Sequence, residues 1–357
     1  MAKRINKIQE FLDEKDIDAL LIKSKTVKKW MNTMTGSGCQ VLITKENGYL
    51  IVDGRYITEA KEKEHDLEII LHNPHLTGRN YLGTVEEILK KENCKTLGVE
   101  AYQVLVKEYH EIEKLGIEVL LLDQEIAHLR IVKEDEEIEA MKKSIAITDE
   151  IYQKVIEHIH VGMSEYEISA LVQYYSIASG AQQMSFDTIV ATGERTALPH
   201  GRPTSRKVKA HEPIMIDQNY QSDMTRMCFI GEPDPKIKEI YDVVLKAQLA
   251  GLSAIKAGAK GKDVDKAARD VIEAAGYGEY FNHGLGHGLG IGEDGEGPTL
   301  NSKSETVLQE HMMMSCEPGV YVPGVGGVRI EDDVVIIDGV GVPLNKTTKD
   351  YIILEDK

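Results

Sequence analysis

Four carboxylates and one histidine in the second half of the chain could together hold metal ions. They are Asp217, Asp223, His287, Glu317 and Glu331. Four ionised carboxylates and a neutral imidazole sum to a charge of −4, which two divalent cations balance. A carboxylate-rich set suits two hard ions about 3.5–4 Å apart better than a single zinc ion. Because such a pair activates water and polarises a carbonyl group, the chemistry indicated is amide hydrolysis.

The two glutamates lie in the segment Met312–Ile336, where β-rich apolar runs flank a stretch rich in proline and glycine. This pattern predicts two strands joined by a glycine-rich bend, with Glu317 and Glu331 carried inward on the sheet. An inward ionised carboxylate needs a cation or a hydrogen-bond donor. The alternative is that both acids sit at strand ends and face water.

The two aspartates lie on either side of a predicted hairpin turn. Ile214–Asp217 and Asp223–Ile230 are the expected strands, and opposed residues of a hairpin have Cβ atoms about 5 Å apart. Two aspartates that close repel each other unless a cation lies between them.

Three histidines occupy glycine-flanked positions. His283 and His287 fall in HGLGHGLGIG, where glycines allow the backbone to approach a bound group, and His200 falls in the loop LPHG after a predicted strand, Phe186–Ala191. A Gly-His run alone is weak evidence of a ligand. His200 has the further alternative of a loop histidine that merely packs.

The first part of the chain positions none of these residues. Residues 1 to about 125 alternate helical and strand patterns, which predicts an α/β domain with a mixed sheet. Ile5, Ile8, Phe11 and Leu12 have helix spacing. The expected strands are Ala19–Ile22, Val41–Ile43, Tyr49–Val52, Leu67–Leu71, Leu97–Val99 and Val119–Leu122.

A change of pattern near Leu129–Lys133 predicts the boundary between two domains, 1–130 and 131–357. A long helix starts near Glu134 and is expected to end at Gly162. Ser164 and Glu167 form a capping box that opens the next helix. Two further helices are expected later, Pro235–Lys256 and Asp263–Ala275, the second capped by Asp263.

Charge and composition exclude several classes of protein. Among 357 residues, 59 are acidic and 42 basic, a formal net charge of −17. No basic cluster marks a predicted helix face, so neither nucleic acid nor an anionic membrane is an expected partner. The N-terminus lacks the apolar run of a secretory signal, and no apolar run approaches the ~18 residues of a membrane span. Four scattered cysteines are typical of reduced thiols in the cytoplasm.

Several motifs, in this order, resemble the creatinase/aminopeptidase P/prolidase group of metallopeptidases. They are SFDTIVATGERTALPHG, SDMTR, HGLGHGLG, EPGVY and GGVRIEDD, and the earlier YLIVDGRYITEA resembles the N-terminal domain of short Xaa-Pro peptidases. The resemblance covers nearly the whole chain. It implies that the N-terminal mixed α/β domain is followed in sequence by a C-terminal domain with the pita-bread fold.

The resemblance also assigns roles by position. Asp217, Asp223, His287, Glu317 and Glu331 would bind two metal ions, with Asp223 and Glu331 contacting both. His200 and His283 fall where family members place histidines that contact substrate. Arg329 lies two residues before Glu331 and therefore on the same strand face, so we expect it to orient a ligand carboxylate. The alternative is an ordinary surface arginine.

The implied enzyme is an Xaa-Pro dipeptidase or aminopeptidase, with small peptides as substrates. Glu317 would shuttle the proton of the attacking water to the leaving nitrogen, and His200 would donate to the oxyanion. The donor set favours Mn²⁺, with Co²⁺ or Zn²⁺ as alternatives, and we expect a cytoplasmic homodimer. The rival hypotheses are a metal-free amidinohydrolase resembling creatinase and a pita-bread binding module without catalysis.

The sequence departs from the family pattern at two places. Only QNYQS separates Asp217 from Asp223, about five residues fewer than is usual in the family. Either the hairpin is shortened or five residues are missing from the sequence, and the intact flanks favour the second explanation. After His287, the segment GEDGEGP replaces a family segment that carries a second substrate-facing histidine, so Asp294 or Gly295 stands in its place.

Overall fold

A computed structural model describes the chain over residues 2–63, 66–78, 80–122, 124–181, 187–218, 222–291 and 296–355. Contacts divide the chain into two units, Met1–Arg130 and Ile131–Lys357. Each unit has its own sheets and its own apolar core.

A mixed sheet forms the centre of the first unit, as the alternating pattern predicts. Its strands are β1 (Ala19–Ile22), β2 (Cys39–Thr44), β3 (Gly48–Asp53), β4 (Glu68–His72), β5 (Thr96–Glu100) and β6 (Glu118–Leu122). The strand order is β4-β3-β2-β1-β5-β6. Strand β1 runs antiparallel to β2 and parallel to β5. The mixed α/β architecture predicted for this region is therefore confirmed.

Short helices connect these strands. They are α1 (Ala2–Lys15), α2 (Lys25–Trp30), α3 (Ile57–Lys63), α4 (Pro74–Thr77), α5 (Tyr81–Lys91), α6 (Val106–Glu113) and α7 (Gln124–His128). Helix α1 buries the predicted stripe of Ile5, Ile8, Phe11 and Leu12. The helical period of the apolar residues therefore located its buried face correctly.

The second unit contains four long helices and several small sheets in its described part. The helices are α8 (Asp135–Ile156), α9 (Glu165–Ala178), α10 (Pro235–Ala254) and α11 (Gly261–Ala274). The Ser164–Glu167 capping box of α9 is confirmed. Two boundary predictions were wrong. Helix α8 ends six residues before Gly162, and α11 begins at Gly261, so Asp263 lies in its first turn instead of capping it.

One four-stranded sheet carries the predicted aspartate hairpin. Its strands are β7 (Ile189–Thr192), β8 (Pro213–Gln218), β9 (Met224–Ile230) and β15 (Ile352–Leu354), in the order β15-β9-β8-β7. Strands β8 and β9 pair antiparallel, as expected. The strand predicted over Phe186–Ala191 begins later, at Ile189, and Phe186 itself lies outside the described residues.

The glutamate segment folds into four strands, where two were predicted. They are β10 (Met313–Cys316), β11 (Gly319–Val322), β12 (Gly326–Arg329) and β13 (Asp332–Ile337). Strand β10 pairs with β13, whose other neighbour is β14 (Val340–Pro343), and β11 pairs with β12. The chain changes partner at Pro318, which has no N–H to continue a ladder, and again between Arg329 and Asp332. The predicted glycine-rich bend is the turn between β11 and β12.

The cysteines and the helices bear on two further expectations. All four cysteines are free; three are buried and Cys94 is partly buried. Among the helices of the described ranges, none combines the length and apolar character that a membrane-spanning helix requires.

Candidate metal centre

A single cavity of about 600 Å³ in the second unit is lined by all five predicted metal ligands. Asp217 lies near the end of β8 and Asp223 just before β9. Glu317 lies between β10 and β11, and Glu331 lies between β12 and β13. At both places the chain leaves one sheet for another. His287 comes from the loop that follows α11. Residues separated by up to 114 positions in the sequence (217 to 331) therefore share one cavity.

The β8–β9 hairpin presents both aspartates to the cavity. In the β8–β9 register Asp217 faces Thr225 and Gln218 faces Met224, so Asp223 lies immediately beyond the last pair. The backbone N–H of Asp223 donates to both carboxylate oxygens of Asp333, at 3.2 and 3.1 Å. A side chain from β13 thus holds Asp223 where the strand ladder stops. Part of the connection, residues 219–221, lies outside the described residues.

The glycines around His287 bring its backbone against neighbouring strands. The amide of Ser315 donates to the His287 carbonyl at 2.8 Å, and the Ser315 hydroxyl accepts from the His287 amide at 3.0 Å. A Cβ atom at Gly286 would lie 2.1 Å from the Ser315 carbonyl oxygen, and one at Gly288 would lie 1.9 Å from that of Gly297. These glycines therefore permit close backbone packing within the protein, whereas the sequence suggested an approach to a bound group.

Three ligand atoms, from Asp223, His287 and Glu331, lie within 4.8 Å of one another. The Nε2 atom of His287 is 3.3 Å from Asp223 Oδ2 and 3.4 Å from Glu317 Oε1. Glu331 is only 1% exposed, so it does not face water. Carboxylates and an imidazole at these separations are donors that a divalent cation can coordinate.

Two buried carboxylate oxygens without hydrogen-bond donors indicate that the acidic cluster fits a cation. Asp217 Oδ1 and Glu331 Oε1 are buried, and no donor among the described residues reaches either of them. A buried carboxylate oxygen without a donor is costly unless a cation compensates it. Both oxygens belong to predicted ligands, so the residues present fit divalent metal ions.

The pKa values of these groups show the same electrostatic imbalance. Burial, together with the charge of Glu331, raises the pKa of Glu317 to about 7. Burial also raises the pKa of Asp217, Asp223 and Glu331. Burial alone would lower the pKa of His287, but Asp223 and Glu317 raise it to about 11. Without a cation, this cluster holds protons that metal ions would displace.

Arg329 is buried beside the cluster and contacts several of its members. Its Nη2 donates to Asp217 Oδ2 at 2.6 Å, and its Nε donates to the Thr225 hydroxyl at 2.8 Å. That hydroxyl in turn donates to Glu331 Oε2 at 2.7 Å. At 3% exposure Arg329 is not a surface arginine. It orients one ligand carboxylate directly and a second through Thr225.

His283 and His200 line the cavity outside the acidic cluster. His283 Nδ1 lies 2.7 Å from the Gly284 carbonyl oxygen, and its Nε2 lies 3.0 Å from the Tyr321 hydroxyl. Burial lowers the pKa of His283 to about 4, so its imidazole is neutral at pH 7. His200 is exposed at the cavity, between Pro199 and Gly201.

Three site residues were not singled out in the sequence. Thr225 supports Glu331 and Arg329, Tyr321 joins Arg329 to His283, and Asp333 holds the Asp223 amide. Each belongs to a motif already noted, SDMTR, EPGVY or GGVRIEDD. The signal for Thr225 was its position two residues after Asp223, on the same strand face. The alignment position of the missing second histidine, Asp294 or Gly295, lies outside the described residues.

Comparisons with known proteins cover both units. Residues 139–338 match Metallopeptidase family M24, and residues 4–132 match the Creatinase/Prolidase N-terminal domain. The Xaa-Pro dipeptidase of Pyrococcus furiosus is 37% identical over 99% of this chain and 100% of its own length.

Solved structures agree with these matches. An Xaa-Pro dipeptidase from Bacillus anthracis superposes with a TM-score of 0.93 at 35% identity, covering 99% of both chains. An X-Pro aminopeptidase from Thermotoga maritima gives 0.87 at 33% identity, covering 95% of this chain and 98% of the other. The expected pita-bread fold is thereby confirmed. The chain belongs to Metallopeptidase family M24, with a creatinase/prolidase N-terminal domain.

Proposed function

We propose that this chain hydrolyses the peptide bond between an N-terminal residue and a proline at the second position, using two divalent metal ions. The observation that carries the proposal is the cluster of four carboxylates and one imidazole in one cavity, with a donor-free oxygen on each of its two buried members, Asp217 and Glu331. The substrate class is supported by the relatives, several of which are named Xaa-Pro dipeptidases.

The ligands that we assign are Asp217, Asp223, His287, Glu317 and Glu331. Three of them, Asp223, His287 and Glu331, offer ligand atoms that lie within 4.8 Å of one another and would together hold an ion. Oxygen donors predominate in this set, which favours Mn²⁺ over Zn²⁺, with Co²⁺ as the other candidate. When bound, the ions supply an activated water and polarise the scissile carbonyl.

The remaining steps belong to side chains of this protein. Glu317 would accept the proton of the water and deliver it to the leaving proline nitrogen. His200 would donate to the oxyanion that develops on the carbonyl. His283 would contact the substrate at the cavity wall, and Arg329 would hold Asp217 in place.

The homodimer and the cytoplasmic location stay predictions from the sequence. Light scattering of the purified protein would test the first, and cell fractionation the second.

The test of the proposed function combines metal analysis with peptide hydrolysis. We expect about two equivalents of metal per chain, and cleavage of Ala-Pro that is lost on chelation and restored by Mn²⁺ or Co²⁺. Ala-Ala serves as the control for the proline requirement, and Ala-Pro-Ala separates a dipeptidase from an aminopeptidase. Activity that survives complete metal removal would favour the metal-free amidinohydrolase. A fully loaded protein that cleaves none of the peptides would favour the binding module.

A further inference from the structure

The His200 loop, residues 193–206, carries an exposed imidazole whose position depends on the backbone. No hydrogen bond to the His200 ring is present among the described residues, and its side chain faces the cavity instead of packing into a core. Its neighbour on the cavity side is fixed, because Arg329 Nη1 donates to the Pro199 carbonyl at 3.0 Å. The position of the imidazole must therefore also depend on what holds the other side of the loop.

A buried carboxylate, Glu165, holds that other side. Glu165 is the first residue of α9, and its side chain has no exposed surface. Its Oε1 accepts hydrogen bonds from the amide and the hydroxyl of Thr192, at 2.9 and 3.0 Å. Its Oε2 accepts from the amide and the hydroxyl of Thr204, at 2.9 and 2.7 Å. The carboxylate thus joins the strand before the loop to the chain after His200.

Arg195 extends this connection to a position two residues from His200. Its Nη1 donates to Glu165, and its Nη2 donates to the Arg202 carbonyl oxygen at 2.8 Å. A guanidinium presents its donors in a rigid planar fork, so the carboxylate fixes the direction of the second bond. Pro199 and Arg202 are therefore anchored by two separate arginines, and His200 lies between the anchors.

We propose that Glu165 is a positioning residue for the reaction, which acts by holding His200 at the scissile carbonyl. The inference rests on the proposed function, in which His200 donates to the oxyanion. All five donors around Glu165 point at its two oxygens. An amide at this position would place an NH₂ group against two or more of them, and the anchor at Arg202 would loosen. Misplacing a catalytic group by about 1 Å can cost about 10²-fold in rate.

The first experiment is independent of activity. Hydrogen–deuterium exchange is measured on the metal-loaded protein and on Glu165→Gln. We expect exchange over residues 198–204 to accelerate by about tenfold, with exchange elsewhere in the second unit unchanged. Unchanged exchange in the loop would overturn the proposal, whether or not the protein cleaves Xaa-Pro peptides.

The second experiment is a double-mutant cycle with His200→Ala on an Ala-Pro substrate. Glu165→Gln should lower kcat by about 10- to 100-fold, bounded by the effect of removing the oxyanion donor itself, with KM and metal content little changed. In the His200→Ala background the same substitution should change kcat by less than about twofold, because groups that act as a unit are not additive. Equal losses in both backgrounds would mean that Glu165 acts elsewhere, which overturns the inference.

Two further variants control the result. Glu167→Gln removes an exposed carboxylate two residues along the same helix turn, where glutamine still completes the capping box, and kcat should be unchanged. If Glu165→Gln fails to fold, Arg195→Lys keeps a cation beside Glu165 but lacks the fork that reaches the Arg202 carbonyl. Its kcat should show the same dependence on His200, with a smaller loss than that of Glu165→Gln. A folded Arg195→Lys protein with parental kcat would contradict the proposal.

Absence of Xaa-Pro hydrolysis by the parent would instead refute the proposed function while leaving the exchange result interpretable.

Discussion

Two buried glutamates, one in each unit, show how similar sequence contexts serve different purposes. Glu100 ends β5 in the first unit, and three donors satisfy it: the amides of Lys23 and Ser24, at 2.6 and 2.8 Å, and the Ser24 hydroxyl, at 2.5 Å. Glu331 follows β12 in the second unit, and one of its oxygens has no donor in the described part of the chain. Burial alone therefore does not identify a ligand.

The difference lies in the donors around each carboxylate. A carboxylate whose oxygens accept several hydrogen bonds is stabilised in place and needs no ion. One that is buried beside other acids and keeps an unsatisfied oxygen is costly until a cation arrives. We therefore expect Glu100 to stabilise the fold of the first unit and Glu331 to destabilise the second unit until a metal ion binds.

Removal of Glu331 should have the largest effect on activity. Glu331→Gln removes the charge of a proposed metal ligand, and because a metal centre supplies several kcal/mol of transition-state stabilisation, we expect kcat/KM to fall by about 10³-fold or more. Metal content should fall with it. The metal-free variant should be at least as stable as the metal-free parent, since a buried acid without a full set of donors has been neutralised. A clear loss of stability in the metal-free state would contradict this account of Glu331.

His200 should matter for the rate without affecting the metals. It lies outside the ligand set, so His200→Ala should keep full metal occupancy while kcat falls by about 10²-fold, the size of an oxyanion-donor deletion. Substrate binding should weaken far less. A metal-loaded variant with kcat within about threefold of the parent would instead identify a histidine that merely packs.

The stability of the metal-free protein should depend on pH in a direction that the pKa shifts fix. Folding raises the pKa of Glu317 from 4.5 to about 7, and it raises the pKa of Asp217, Asp223, Glu331 and His287 as well. These five groups therefore bind more protons in the folded state than in the unfolded chain, so their contribution to the free energy of unfolding falls as pH rises. At about 1.4 kcal/mol per pKa unit, Glu317 alone accounts for roughly 3 kcal/mol between pH 4.5 and 7.

Urea unfolding at pH 5 and pH 8, with and without Mn²⁺, measures this dependence. The metal ions should remove most of it, because they neutralise the same carboxylates. A metal-free protein that is more stable at pH 8 than at pH 5 would show that the cluster is not the dominant source of the pH dependence.

Glu100 should behave in the opposite way. Glu100→Ala leaves the backbone amides of Lys23 and Ser24 without their acceptor, so we expect the free energy of unfolding to fall by about 1–3 kcal/mol with kcat and metal content unchanged. A loss of metal would break the distinction between the two glutamates.

The sequence predicted the parts of this structure that local patterns encode. The apolar face of α1, the capping box at Ser164 and the strand that carries Asp217 follow from residue spacing within single elements. The partner change at Pro318 did not follow, because an apolar run does not reveal which strand it pairs with. The split of the glutamate segment into four strands depends on that pairing.

The supporting residues were harder to find for a similar reason. Glu165 and Asp333 act across 39 and 110 positions of sequence, on Thr204 and Asp223. No local spacing connects such pairs, and an acid at a helix start or within a strand is equally typical of a solvated side chain. The proposed ligands could be assigned only because five motifs occur together in a known order. Arg329 was identified because it shares a strand face with Glu331.

The smallest expected effect concerns Arg202, which lines the cavity and bears on the choice between dipeptides and longer peptides. Its ion pair with Asp187 is weak, since the two side chains are 74% and 70% exposed. We therefore expect the guanidinium to bind the free carboxylate of an Ala-Pro dipeptide, for which a planar fork is well suited. Arg202→Met should lower kcat/KM for Ala-Pro by about tenfold, the size of one charge-assisted hydrogen bond, and leave kcat/KM for Ala-Pro amide within about twofold.

Lys207→Met is the control, because it removes an exposed cation just beyond the same loop and outside the cavity lining. It should change kcat/KM for neither substrate. Equal losses of kcat/KM for Ala-Pro and for Ala-Pro amide would show that Arg202 does not bind the free carboxylate. Arg202 would then give no preference for dipeptides over longer peptides.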